Sequence, residues 1–223
     1  MAVEPKVVLP RPESLSLLTA GRRAADGERS GGAAPDRLLR GRASAAYAET
    51  FRVLALQVLG SAQERDLRSL LVMGAYPGDG RTTTVANLAI ALAASGKRVV
   101  AVDADSASPT LASLFGLVPR DAEHGPVDAD VRGVQVLTLA PGSNGDGART
   151  NELLGRLREQ ADFVVVDSPP CSRASDGFGL APLVDGVLYV VRRRQQDVQL
   201  QRSVQSQLSR LGANVLGVIY NER

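Results

Sequence analysis

The sequence predicts a single α/β domain, a mostly parallel sheet with helices on both faces, preceded by a disordered N-terminal tail. Three observations carry this reading. Six short apolar runs recur along the chain: Leu70 to Met73, Val99 to Val102, Val134 to Leu139, Phe163 to Val166, Val187 to Val191 and Val215 to Ile219. Most are followed by a segment with helical periodicity. Strands apolar on both faces, alternating with helices, are the pattern of a parallel sheet covered on each side. The third observation is bulk: 44% of the 223 residues are hydrophobic, enough to bury the core of one medium-sized domain and hardly two.

The elements follow in chain order. Residues 1–43 are rich in Pro, Gly, Ala and Arg and show no sustained apolar period, so they read as a disordered tail, with the folded domain at 44–223. From Met1 to Ala45 eight cations stand against five anions, giving this stretch +3. The remainder has 18 cations against 19 anions, or −1, and the two sum to the whole-chain +2. A folded part this close to neutral has no electrostatic footprint for nucleic acid, whereas a basic tail could touch an anionic membrane surface weakly. From Ser44 to about Gly60, the residues Tyr47, Phe51, Leu54 and Val58 recur every three or four positions, which predicts an amphipathic helix ahead of the first strand. Helices are also predicted over Thr82 to Ser95, Asn151 to Glu159 and Val198 to Leu211. Val118 to Asp130, with four acids and two prolines, reads as a surface loop.

Several function classes drop out on composition. No run approaches the roughly 18–20 apolar residues of a membrane-spanning helix, and Glu4 and Pro5 stand where a signal peptide would carry cations and then an apolar stretch. The expectation is a cytoplasmic protein with no direct membrane span. The single cysteine, Cys171, cannot form an internal disulfide, and the single histidine, His124, leaves no cluster with zinc-ligand spacing. Any metal would be held by oxygen.

Chemistry concentrates where strands end. Directly after the first predicted strand comes Ala75-Tyr76-Pro77-Gly78-Asp79-Gly80-Arg81-Thr82-Thr83-Thr84, opening into a predicted helix. Gly78 and Gly80 let the backbone aim successive N–H groups inward, and the helix N-terminus adds partial positive charge, so a polyphosphate could be cradled there. Thr82 would offer a hydroxyl to Mg²⁺. An ordinary glycine-rich strand-to-helix turn is the other reading of these ten residues. The second predicted strand runs into Asp103-Ala104-Asp105, whose two carboxylates, spaced by two, leave the strand on the same side, where they could bind Mg²⁺ through water or orient a nucleophile. The strand over Phe163 to Val166 ends in Asp167-Ser168-Pro169-Pro170. Each acid alone reads as a loop or helix-capping residue. One glycine loop and two strand-end carboxylate sites, in this order, outweigh that reading.

With these motifs in view, the chain resembles the bacterial tyrosine kinases of capsule and exopolysaccharide synthesis, whose P-loop ATPase domain belongs to the wider ParA/MinD group. The resemblance runs from about Glu49 to Asn221. It is carried by Glu49-Thr50-Phe51-Arg52-Val53-Leu54, the Pro-Gly-acid-Gly loop, Gly96-Lys97-Arg98 before the Asp-Ala-Asp strand, Asp-Ser-Pro-Pro, Asp176, Asp185-Gly186-Val187 and the closing Gly217-Val218-Ile219-Tyr220-Asn221. It implies that Pro77, Gly78, Asp79, Gly80, Arg81, Thr82 and Thr83 hold the phosphates of ATP, and that Thr82, Asp103 and Asp167 serve Mg²⁺. It further implies that Arg81, Asp103 and Asp105 take part in phosphoryl transfer, with Asp105 near the acceptor, and that Asn221 contacts the adenine. The implied partner is a membrane-bound polysaccharide co-polymerase or adaptor on a separate chain, which would recruit the protein to the inner face of the membrane. A homo-oligomeric ring is implied as well.

The departures from the family pattern shape the functional expectation. Arg81 stands where the family has the loop lysine, in a chain with 24 arginines and two lysines. A planar five-donor fork keeps the charge of a lysine but not its shape, and phosphoryl transfer depends on positioning. Ala55 and Ala107-Ser108 stand where relatives carry basic residues that help build the ring, which points away from ring formation. The sequence closes at Asn221-Glu222-Arg223 with Tyr220 alone, so autophosphorylation of a tyrosine cluster is not expected. Tyr47 and Tyr76 are acceptors only if they are not used in packing and loop contacts. Three functions compete: a regulator that binds nucleotide but transfers phosphate weakly or not at all, an active tyrosine kinase or ATPase, and a ParA/MinD-type positioning ATPase. Tyr76, in place of a second loop lysine, argues against the last. The expectation is retained nucleotide binding with impaired turnover.

Overall fold

A computed structural model of the chain describes residues 6–8, 45–119, 125–140, 146–172, 176–192 and 198–221. Its sheet is built around six parallel strands, and these are the six apolar runs of the sequence: β2 (Ser69–Gly74), β3 (Val99–Asp103), β5 (Val134–Thr138), β6 (Phe163–Asp167), β7 (Gly186–Arg192) and β8 (Val215–Asn221). Two short antiparallel strands close the edges, β1 (Lys6–Val8) against β8 and β4 (Val127–Asp128) against β5, giving the order β1-β8-β7-β2-β6-β3-β5-β4.

Alternation along each strand sends side chains to two separate cores. On one face Leu70, Val72, Ala101, Val165, Leu188, Val190 and Ile219 pack with helices α1 (Ala45–Arg65), α2 (Arg81–Ala94) and α3 (Leu111–Leu114). On the other, Leu71, Met73, Val100, Val102, Val164, Val166 and Val187 pack with α4 (Gly147–Gln160), α5 (Asp176–Leu180) and α6 (Val198–Arg210). Both faces of the sheet are therefore covered, as expected for strands with no polar side. In α1 the predicted stripe is buried at Phe51, Leu54 and Val58, and Tyr47 meets the Phe51 ring edge-on at a centroid separation of 5.2 Å. Asp146 caps α4 by accepting the Arg149 N–H at 3.1 Å, which starts that helix four residues before the predicted Asn151.

Two expectations need revision. Residues 6–8, read as part of the tail, form an edge strand, and Val127–Asp128 form another inside the stretch read as a loop. Strands of three and two residues are too short for alternation to register in a sequence. Ala55, which stands where relatives carry a basic ring-building residue, is fully buried on the inner face of α1 and belongs to the core. The rest of the expected tail lies outside the described residues, as do His124, Glu222 and Arg223. Among the described residues, no helix is long and apolar enough to cross a membrane.

The amino ends of β2 and β7 are tied by a polar cluster. The Asp185 carboxylate accepts the N–H of Arg68 (2.9 Å), the N–H of Ser69 (2.7 Å) and the Ser69 hydroxyl (2.7 Å). Arg158 reaches in from α4, donating to Ser69 Oγ at 2.8 Å and to the Leu183 carbonyl at 2.6 Å. Burial pushes Asp185 up, but the Ser69 hydroxyl, the backbone N–H groups of Arg68 and Ser69 and the Arg158 charge outweigh it, so its carboxyl sits below the ordinary range.

Candidate functional site

At the opposite, carboxyl end of the sheet, β2 runs into the glycine loop. Gly78 (φ 83°) and Gly80 (φ 100°) both occupy the left-handed region that a side chain disfavours. Between them Asp79 folds back, its Oδ2 accepting the Tyr76 N–H at 2.7 Å, so the loop is closed on itself. From β8, the Asn221 side-chain amide donates to the Asp79 carbonyl at 2.8 Å. A β-carbon at Gly80 would run into that amide. Helix α2 begins at the next residue with no side-chain cap on its first turn, so its leading N–H groups face the cradle.

Arg81, the first residue of α2, is 7% exposed and turns away from solvent. Its Nη1 donates to the Ser168 carbonyl, and its Nη2 lies 4.0 Å from the Asp105 carboxylate. The aliphatic stem lies over Gly74, where an added β-carbon would stand 2.9 Å from Arg81 Cδ. Glycine at the end of β2 is thus what makes room for an arginine. The Nε atom is buried without a partner among the described residues.

Asp103 and Asp167 stand opposite each other in the β3–β6 register, each 1% exposed. Their surroundings differ. Asp103 accepts three backbone N–H groups, from Asp105 (3.1 Å), Thr110 (2.8 Å) and Leu111 (2.9 Å). Burial raises its pKa, and these three bonds oppose the rise. Asp167 is pushed up to about 7 by burial, with the Arg81 charge and the Thr82 hydroxyl pulling down and Asp103 and Asp105 pushing up further. Its Oδ1 is buried with no partner among the described residues. An orphaned carboxylate oxygen beside a threonine hydroxyl, at the mouth of a loop shaped for anions, fits a hard divalent cation held partly by water and phosphate. Asp103, with three of its lone pairs already engaged, fits better as a water-mediated or orienting group than as a direct ligand.

The structure thus brings Pro77, Gly78, Asp79, Gly80, Arg81, Thr82, Thr83, Asp103, Asp105, Asp167 and Asn221 to one end of the sheet. It shows what the motifs did not: the Ser168 carbonyl as the acceptor for Arg81, and Arg192 at the end of β7 beside the loop. Tyr189 and Cys171 also lie near Asp79, close enough to act on one another electrostatically. The Tyr189 hydroxyl is buried without a partner among the described residues, and burial raises its pKa. Burial likewise raises the Cys171 thiol to about 11, which leaves it protonated and unreactive at neutral pH. Arg192 had one available signal, its place at a strand end on the same side as the acids.

Residues 70–222 match the CobQ/CobB/MinD/ParA nucleotide binding domain. Over 79% of its length the chain is 30% identical to the succinoglycan biosynthesis transport protein ExoP of Rhizobium meliloti, of which it spans only 25%. It is 26% identical, over 78% of its length, to the tyrosine-protein kinase YwqD of Bacillus subtilis, spanning 80% of that protein. In structure it resembles the kinase domain of the Escherichia coli tyrosine kinase ETK, with a TM-score of 0.72, 23% identity and coverage of 79% of this chain and 75% of that one. It also resembles the septum site-determining protein MinD of Pyrococcus horikoshii, solved with Mg-ADP, at a TM-score of 0.58, 20% identity and 68% coverage of each chain. At such identities the structural likeness speaks for the fold alone.

Proposed function

The chain belongs to the CobQ/CobB/MinD/ParA nucleotide-binding family, its homologues include bacterial tyrosine-protein kinases, and from that premise we propose that it binds Mg-ATP and Mg-ADP with weakened or lost phosphoryl transfer. The observation that carries this reading is the position of Arg81. The cradle around it is complete: two left-handed glycines, the uncapped start of α2 and the Thr82–Asp167 pair. The one cation the loop itself supplies is turned to the Ser168 carbonyl and toward Asp105. A loop lysine acts by reaching the β- and γ-phosphates as they move, and a guanidinium committed to a neighbouring strand end cannot follow them without giving up its acceptor.

In this reading the N–H groups from Gly78 to Thr83 bind the phosphates, and Asn221 holds the loop shape from β8 while lying where an adenine could meet it. Thr82 and Asp167 would hold Mg²⁺, with Asp103 behind. When bound, the ion would offset negative charge on the β- and γ-phosphates. Asp105, 17% exposed, stands at the open side, where an acceptor hydroxyl would approach. The name of one relative, a succinoglycan biosynthesis transport protein, supports a role beside exopolysaccharide synthesis and export, and the proposal extends this to capsule. The partner would be a membrane-bound polysaccharide co-polymerase on a separate chain, recruiting this protein to the inner face of the membrane, and self-association into a homo-oligomer fits the same reading.

The alternative, an active tyrosine kinase or ATPase, draws support from the retained Asp103, Asp105 and Asp167. The binding claim is tested by calorimetry of the full chain with Mg-ADP and Mg-ATP, and again with EDTA. Saturable binding that weakens on chelation is expected. No heat with either nucleotide would remove the proposal.

A further inference from the structure

Strand β7 ends in Arg192, which pairs in register with Asn221 at the end of β8. The two residues meet the glycine loop from the same side. Asn221 holds the Asp79 carbonyl, and the Arg192 guanidinium lies over Gly78, with its Nη1 3.8 Å from where a β-carbon on that glycine would stand. Its charge also reaches the Asp79 carboxyl. The loop therefore has an arginine on each side. Arg81 is buried and held by Ser168, whereas Arg192 is only half-buried and lies against an exposed glycine. A guanidinium fork can donate two parallel N–H bonds to a phosphate, and Gly78, lacking a side chain, leaves it an open approach to whatever the loop cradles.

We propose that Arg192 binds the polyphosphate of the nucleotide, closing over the Gly78 side of the loop. This rests on the nucleotide-binding reading above and deepens it: the phosphate charge is met from the end of β7 and not from the first residue of α2.

The test is calorimetry on the full chain as wild type, Arg192→Gln, Arg192→Lys and Arg81→Gln, with AMP, Mg-ADP and Mg-ATP as probes and thermal unfolding of each variant alongside. Wild-type affinity is expected to rise from AMP to ADP to ATP. Arg192→Gln should flatten that rise by about tenfold or more at ATP, as the loss of a charge-assisted bond implies, with AMP affinity nearly unchanged. Arg192→Lys should recover part of it, and Arg81→Gln should flatten it less than Arg192→Gln does. An unchanged rise in Arg192→Gln would overturn the inference, as would an equal loss for all three nucleotides, which marks a brace on the loop and no contact with phosphate. If Arg192→Gln unfolds, Arg192→Met decides in its place: an unchanged rise from AMP to ATP in that variant would sink the proposal. A wild type that binds no nucleotide fails the functional reading and this inference with it, whereas a wild type that binds and an Arg192→Gln that binds equally fails this inference only.

Discussion

The two ends of strand β2 hold the same kinds of residue and treat them in opposite ways. At the amino end Asp185 accepts three donors, and Arg158 is bonded to the same serine hydroxyl and to a carbonyl. Its carboxyl is held below the ordinary range despite partial burial. At the carboxyl end Asp167 is buried with one oxygen unpartnered, two further acids near it and an arginine committed elsewhere, and it is driven up to about 7. A buried acid supplied with donors stabilises the fold. A buried acid left short of them destabilises it, and persists where a ligand completes its coordination. The first end is built for the protein alone and the second for the protein with something bound.

Replacing Asp167 should separate the two roles most widely. Asp167→Asn is expected to weaken Mg-dependent ADP binding on the order of 100-fold, while raising the unfolding midpoint at pH 8. The sign follows from the raised pKa. Below the unfolded value of 3.8 the residue is protonated in both states and nothing is lost. As pH rises toward about 7 the folded state holds its proton while the unfolded chain releases it, and stability falls by about 1.4 kcal/mol per pH unit. Above that pH the penalty is complete. The advantage of the asparagine should therefore be greatest at pH 8 and shrink toward pH 4, as denaturant titrations across that range would show. A variant less stable than wild type at pH 8 would contradict this account of the carboxyl end.

Asp185→Ala should do the reverse. It removes the acceptor for two backbone N–H groups and a hydroxyl, for a loss of ~2 kcal/mol, with Mg-ADP affinity per folded molecule unchanged. Its pKa is lowered, so its contribution is present above the ordinary carboxylate range and is lost as pH falls through the folded value. The gap between wild type and variant should therefore close in acid, opposite to the trend for Asp167→Asn. Parallel pH profiles for the two variants would erase the distinction between the ends.

Gly80→Ala should have a smaller effect on stability, about 1–2 kcal/mol from the positive φ, plus the displacement of the Asn221 amide. If the loop is braced from β8 as described, Asn221→Ala should relieve part of that loss in the double variant. Strict additivity of the two changes, measured by a double-mutant cycle in denaturant, would show that the brace does not act on Gly80.

The six parallel strands were legible because burial on both faces leaves continuous apolar runs, and the glycine loop and strand-end acids were legible because each motif is local in the chain. The edge strands β1 and β4 were not, since so few residues carry no period. Neither were the partners that decide the chemistry. Arg81 is captured by a backbone carbonyl 87 residues away, and any residue type at 168 would offer the same atom. Asp103 is engaged by the N–H groups of Thr110 and Leu111, and Asn221 by the carbonyl of Asp79, again groups with no signature in sequence.

The capture of Arg81 by the Ser168 carbonyl should leave nucleotide binding intact and weaken phosphoryl transfer. Its most direct test is phosphate release from Mg-ATP, at saturating nucleotide, by the wild-type chain and by Arg81→Lys. Wild-type turnover near the uncatalysed background is expected, rising at least tenfold in Arg81→Lys with little change in ATP affinity. Turnover by the wild type equal to or faster than that of the lysine variant would contradict it and establish the arginine loop as catalytically competent.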